Sequence, residues 1–211
     1  MAPPQNPASR AFWLKHLHQW HWISSAICLI GMLLFAATGI TLNHAAQIEA
    51  KPTVETAHHA LPPELLAQLQ TLHSDGKDVK APVPSEIDVW LARQLSVRAA
   101  GQDAEWSSDE IYLSLPRPGG DAWLSIDRTS GEVTHEVTTR GWVSYLNDLH
   151  KGRNTGTAWS WFIDLFAVAC LLFCITGLFL LHFHAGKRPA TWPLVALGFV
   201  VPVVLAILFI H

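Results

Sequence analysis

Charge is scarce in this chain and unevenly placed. Only 15% of its 211 residues are charged, against 50% that are hydrophobic, and the formal net charge is −3. There is no basic surplus of the kind that binds nucleic acid. Cysteine is scarcer still. Cys28, Cys170 and Cys174 all lie inside apolar runs, which excludes a disulfide framework and a CxxC metal site; they read as small hydrophobes. No Gly-rich phosphate loop marks a nicotinamide or flavin site. Within the apolar runs Asp164 is the one charged residue, a poor pathway for ions, which disfavours a metal transporter.

What the chain has is long hydrophobic runs with tryptophan, ten in all, at several of their flanks, where membrane-interface aromatics belong. Trp22–Leu42, Trp159–Leu181 and Trp192–Ile210 are each about long enough to span a bilayer core of roughly 30 Å. The first is too long for a signal-peptide core and no small-residue cleavage site follows it. The expected fold class is membrane α-helical with three transmembrane helices and a small α+β domain inserted between the first two. The segments are an N-terminal arm over 1–19, a first transmembrane helix over 20–44 and the insert over 45–150. A re-entry segment over 151–158, a second helix over 159–183, a loop over 184–191 and a third helix over 192–211 follow. Within the insert, Leu61–Thr71 and a stretch from Ser85 to Leu95 read as helices. Glu110–Leu115, Ala122–Asp127 and Glu132–Val137 read as strands separated by turn residues.

The short basic segments set an expected orientation. Arg10 and Lys15 precede the first run, and Lys187 and Arg188 lie between the second and third; such segments stay cytoplasmic. The insert holds 16 of the 17 acidic residues and is expected outside, with the C-terminus.

One phrase occurs twice. Thr38-Gly39-Ile40-Thr41-Leu42-Asn43-His44 and Thr176-Gly177-Leu178-Phe179-Leu180-Leu181-His182 both read T-G-x-x-L-x-H and both close an apolar run. With antiparallel helices this is an inverted repeat, one histidine at each face. A single interfacial histidine more often only snorkels, but here the histidines pair: His44 with His150 at the outer face, His21 with His182 at the inner. A b-type haem held by two imidazoles needs one neutral histidine from each of two packed helices, so two haems b per chain are expected, with these four histidines as axial ligands. Helical phase from Asp164, 18 residues before His182, favours His182 over His184; His18 and His16 remain alternatives to His21. Gly39 and Gly177 leave room for a macrocycle or for a close helix neighbour. Lys151 and Arg153 could meet haem propionates. Asp164 reads either as an acceptor orienting a ligand or as a partner of Ser or Thr near the surface. His58, His59, His73, His135 and His211 read as exposed. His21 and His44 are 23 residues apart, about 34 Å along a helix, a long step for electron transfer.

The phrases HQWHW at 18–22, TGITLNH at 38–44, NDLHKGR at 147–153 and ITGLFLLH at 175–182 resemble those of PepSY-associated transmembrane proteins, particularly a small three-helix branch. WLSIDRTSGEV at 123–133 resembles the PepSY strand pair. Larger relatives are dihaem inner-membrane reductases of ferric siderophores, so the resemblance implies electron transfer from an unidentified cytoplasmic-side or quinol donor to a periplasmic metal chelate or redox partner. It carries the ligand role to His21, His44, His150 and His182, and makes a haem-dependent metal reductase the expected activity. The chain has fewer spans than those relatives, so either the third helix or a second copy in a homodimer would cover the haem edges. The competing expectation is a cofactor-free, membrane-anchored PepSY protein that regulates or escorts a periplasmic enzyme.

Overall fold

Three helices of the computed structural model are long and apolar enough to cross a membrane: α1 (Pro7–Asn43), α5 (Gly156–His184) and α6 (Thr191–Phe209). The structure describes residues 7–72, 78–99 and 101–210. The chain divides into one unit of Met1–Ala36 with Trp161–His211 and a second of Ala37–Ser160.

In the first unit, α1 starts earlier than the sequence reading placed its membrane helix. Pro7 lies in its first turn, where a fixed φ suits a helix start and the missing N–H costs nothing. The arm read over 1–19 is therefore helical from Pro7 onward. Contacts between α1 and α5 run in opposite numerical directions. His21 meets Phe173, Cys28 hydrogen-bonds Cys170, and Phe35 stacks on Phe166 at 5.1 Å, so the two helices are antiparallel. Gly31 makes this approach close, because a Cβ there would collide with the Phe166 ring. In α6 no residue is buried and Pro202 lies inside the helix, as membrane helices tolerate.

The second unit is built on a six-stranded antiparallel sheet of order β1-β6-β5-β4-β3-β2. The strands are β1 (Thr53–Ala60), β2 (Val79–Pro82), β3 (Asp103–Trp106), β4 (Glu110–Ser114), β5 (Gly120–Asp127) and β6 (Glu132–Thr139). Alternation drives it: Ile111 and Leu113 on β4, and Leu124 and Ile126 on β5, are fully buried, as one face of a pleat requires. They share a core with Leu69 of α2 (Pro63–Thr71) and with Ile87 and Leu91 of α3 (Ser85–Gln94). The other face carries Tyr112 stacked on Trp123, whose indole N–H donates to Glu136. The three strands and two helices read from the sequence are present within a residue or two. The edge strands β1 and β2 and the short β3 were not read, because their apolar content is low.

Arg128 was read only as part of a turn. Instead it is buried, and its guanidinium donates to the carbonyls of Ser107, Leu69 and Leu72 while lying 5.8 Å from the centre of the Trp106 ring. It ties the end of α2 to the sheet. The turn that presents it is held by Asp127, whose carboxylate accepts from the Thr129 and Ser130 amides.

A fourth helix, α4 (Trp142–Lys151), closes the unit, in the part of the insert beyond Val137 to which the sequence reading assigns no element. The β4–β5 turn anchors it: Gly119, at φ +73°, presses against the Tyr145 backbone, and its N–H donates to Asp148 at 2.8 Å. At the other end Gly152 adopts the left-handed conformation (φ 66°) and the Arg153 N–H returns to the Asp148 carbonyl, a Schellman-type stop.

His59 and His135 are half-buried rather than exposed as read; His73 and His211 lie outside the described residues. Ala57 pairs with His135, and His59, two residues along β1, falls on the same face.

Two outcomes follow for this unit. Arg128→Ala should lower its unfolding free energy by about 3 kcal/mol, since several charge-assisted bonds to buried carbonyls are lost; denaturant unfolding followed by tryptophan fluorescence reads this. Burial, then the charges of Arg117 and His59, hold His135 below the ordinary 6.5. The unfolded chain therefore takes up its proton first as pH falls. Stability should be full above about pH 6.5 and decline below it; hydrogen exchange of β6 amides should show that decline, and His135→Gln should flatten it.

Candidate functional site

Each copy of the repeated Thr-Gly step receives a histidine ring from another helix. In the first unit, α5 presents Thr176 and Gly177 on the face that meets α1, and His21 of α1 lies against them. His21 Nδ1 is 3.0 Å from Thr176 Oγ1 and 3.2 Å from the Phe173 carbonyl, and its ring stacks on Phe173 at 4.6 Å. Gly177 provides the space: a Cβ there would stand 3.2 Å from His21 Cε1.

The hydrogen bonds fix the tautomer. A carbonyl can only accept, so His21 Nδ1 carries the proton. Thr176 sends its own proton back to the Leu172 carbonyl at 2.7 Å, a common habit of helical threonine, which leaves its lone pairs to accept from His21. The neutral ring then offers Nε2 as its acceptor. That nitrogen has no hydrogen bond among the described residues.

The second unit repeats the arrangement with the roles of the chain segments exchanged. Thr38 and Gly39 near the end of α1 face His150 of α4. Thr38 Oγ1 is 2.7 Å from His150 Nδ1, and a Cβ on Gly39 would meet His150 Cε1 at 3.7 Å. A second rung lies one turn along both helices: Thr41 Oγ1 donates to Asn147 Oδ1 at 2.7 Å, and Asn147 is buried. The sequence carried this signal as Thr38/Thr41 and Asn147/His150, two pairs at the same helical spacing of three. It went unread because α4 itself was unread.

The other histidines are held differently. His18, His44 and His184 each direct Nδ1 to the carbonyl four residues back on their own helix, at 2.8, 3.0 and 2.8 Å. All three therefore carry the proton on Nδ1 and are exposed. The rings of His18 and His184 meet edge to face with centres 5.9 Å apart. His16 packs on Phe12 at 4.3 Å. His182 turns to α6, its ring 5.9 Å from Trp192.

His21 and His184 line one largely apolar cavity of about 630 Å³, together with Phe173, Cys174, Gly177 and Leu181. His184 lies seven residues beyond Gly177, two turns on, and so shares its face; His182, five beyond, does not. Asp164 is exposed and has no hydrogen-bond or ion-pair partner among the described residues. Lys151 and Arg153 are exposed at the end of α4, where Trp159 donates its indole N–H to the Leu149 carbonyl at 2.9 Å.

Neither the curated proteins nor the solved structures returned a significant match. A family described as "Putative PepSY_TM-like" matches residues 12–211. Three helices long and apolar enough to cross a membrane, the sheet domain between the first two and a match over residues 12–211 place the chain in the PepSY_TM-like family of integral membrane proteins.

Proposed function

We propose that the protein carries electrons across a bacterial inner membrane on two b-type haems, from a cytoplasmic-side or quinol donor to a periplasmic ferric chelate or other metal. One observation carries the reading. Two histidines, His21 and His150, are each seated on the Thr-Gly step of another helix, Nδ1 bound by the threonine and the ring over the glycine.

The residues fit the group. A bare metal ion would need three or more clustered side chains, and no such group of His, Cys, Asp or Glu occurs among the described residues. A porphyrin brings its equatorial nitrogens and asks the protein for axial imidazoles. When bound, haem supplies a one-electron couple whose potential the axial ligands and their hydrogen bonds adjust.

His21 and His184 would serve the inner site. They come from different helices, line the same cavity, and both hold Nδ1 protonated so that Nε2 can face a metal. The proposal takes His184 in place of His182 because Gly177, rather than Asp164, marks the face that meets His21. His150 and His44 would serve the outer site, with Lys151 and Arg153 meeting propionates; His44 lies in the turn just past the end of α1, outside the regular helix, so helical phase, which sets His182 apart from His21, does not exclude it. Arg10, Lys15, Lys187 and Arg188 support an insert on the periplasmic side.

Pyridine haemochrome quantitation of the purified protein should find two haems b per chain. His150→Ala or His44→Ala should remove one, His21→Ala or His184→Ala the other, and His182→Ala neither. A folded, colourless wild type would overturn the reading in favour of a cofactor-free anchor for the sheet domain.

A further inference from the structure

The seats explain where two imidazoles rest, but they also divide the histidines into two kinds. His18, His44 and His184 are oriented by their own helix, through a carbonyl four residues back. His21 and His150 are oriented by a hydroxyl belonging to a different helix. A backbone carbonyl is present at every helical position, whereas the hydroxyls come from the one residue type that recurs before the glycine in both repeats.

We propose that Thr38 and Thr176 are positioning residues that set the reduction potentials of the haems bound at His150 and His21; this rests on the haem reading above. A hydroxyl that accepts from Nδ1–H makes the imidazole more basic at Nε2. A more basic axial ligand favours the ferric state and lowers the potential of the iron it binds. Thr176 is suited to this, since its own proton is committed to the Leu172 or Phe173 carbonyl, at 2.7 and 3.0 Å, and its lone pairs are left for the ring. Thr176 is also buried, so water does not compete for the bond. Thr38 Oγ1 lies 2.7 Å from His150 Nδ1 and takes the same accepting part in the proposal, with the Thr41–Asn147 rung holding α4 in register. Gly177 contributes by letting the ring come within reach of the hydroxyl, whereas a Cβ on Gly39 would stand at ordinary contact distance from His150.

The inner seat allows a clean separation of ligation from tuning. In Thr176→Val the Phe173 carbonyl, 3.2 Å from His21 Nδ1, still accepts the proton. The tautomer and the haem should persist while the hydroxyl's share of the bond is lost.

The test is potentiometric titration of the full-length, pigmented protein in wild type, Thr176→Val, Thr176→Ser, Thr38→Val and Thr38→Ser. Each valine variant should keep both haems and raise the midpoint potential of one haem only, a different one in the two variants. Each serine variant should restore the wild-type midpoint, which a merely structural role would not predict for so small a change in shape. In parallel, imidazole ¹⁵N shifts of folded protein prepared without haem should report His21 with its proton on Nδ1. Pigmented valine variants with unmoved midpoints would overturn the proposal and leave the haem reading standing. A wild type that binds no haem would overturn both, even with the His21 tautomer locked.

Discussion

A histidine ring resting on a Thr-Gly step of a neighbouring helix is the contact on which the account depends. It combines a polar lock with a steric vacancy: the hydroxyl takes the Nδ1 proton, and the missing Cβ lets the ring approach. Either half alone is ordinary in membrane helices, where small residues serve close packing and hydroxyls bond back to their own carbonyls. Their conjunction beneath an imidazole, tight at Thr176-Gly177 and looser at Thr38-Gly39, where a Cβ would stand at ordinary contact distance, is what distinguishes a seat from a packing device. In the His21 seat it holds the proton on Nδ1 and leaves Nε2 as the nitrogen free of that bond.

The remaining structure serves to bring those rings into place. Around His21, the antiparallel run of contacts between α1 and α5 fixes the register, and Gly31 against Phe166 sets how closely the helices meet. Around His150, the sheet does the work. The β4–β5 turn presses on α4 at Tyr145 and binds Asp148, and Gly152 stops the helix one residue after Lys151. The buried Arg128 staples the helical layer to the same sheet. The inserted domain thus acts on His150 through a chain of contacts inside its own unit.

Much of this was legible in the amino-acid order. The apolar runs announced three spans, since length and lack of charge are enough for that. The strands with strict alternation, such as Glu110–Ser114, announced themselves too. The repeat marked the two Thr-Gly steps, and the histidine of each copy was paired with one from elsewhere in the chain, His44 with His150 and His21 with His182. That His150 and His21 are the rings seated on those steps is a relation that no local spacing encodes. Between His182 and His184 the helical phase shared with Asp164 favours His182, whereas the phase shared with Gly177 favours His184; Asp164 is exposed. α4 carries its amphipathic pattern over only ten residues, too short to stand out beside the Gly/Thr segment that follows it. Arg128 was missed because a charged residue beside a turn is usually solvated, and only the fold reveals the carbonyls it serves.

Electron paramagnetic resonance of the oxidised protein in native membranes tests the central claim most directly, because it reports the number and kind of axial ligands without purification or mutation. The account predicts two low-spin ferric haem signals, each of the bis-imidazole type. A single signal, a high-spin five-coordinate signal, or none from membranes that contain the folded protein would contradict it.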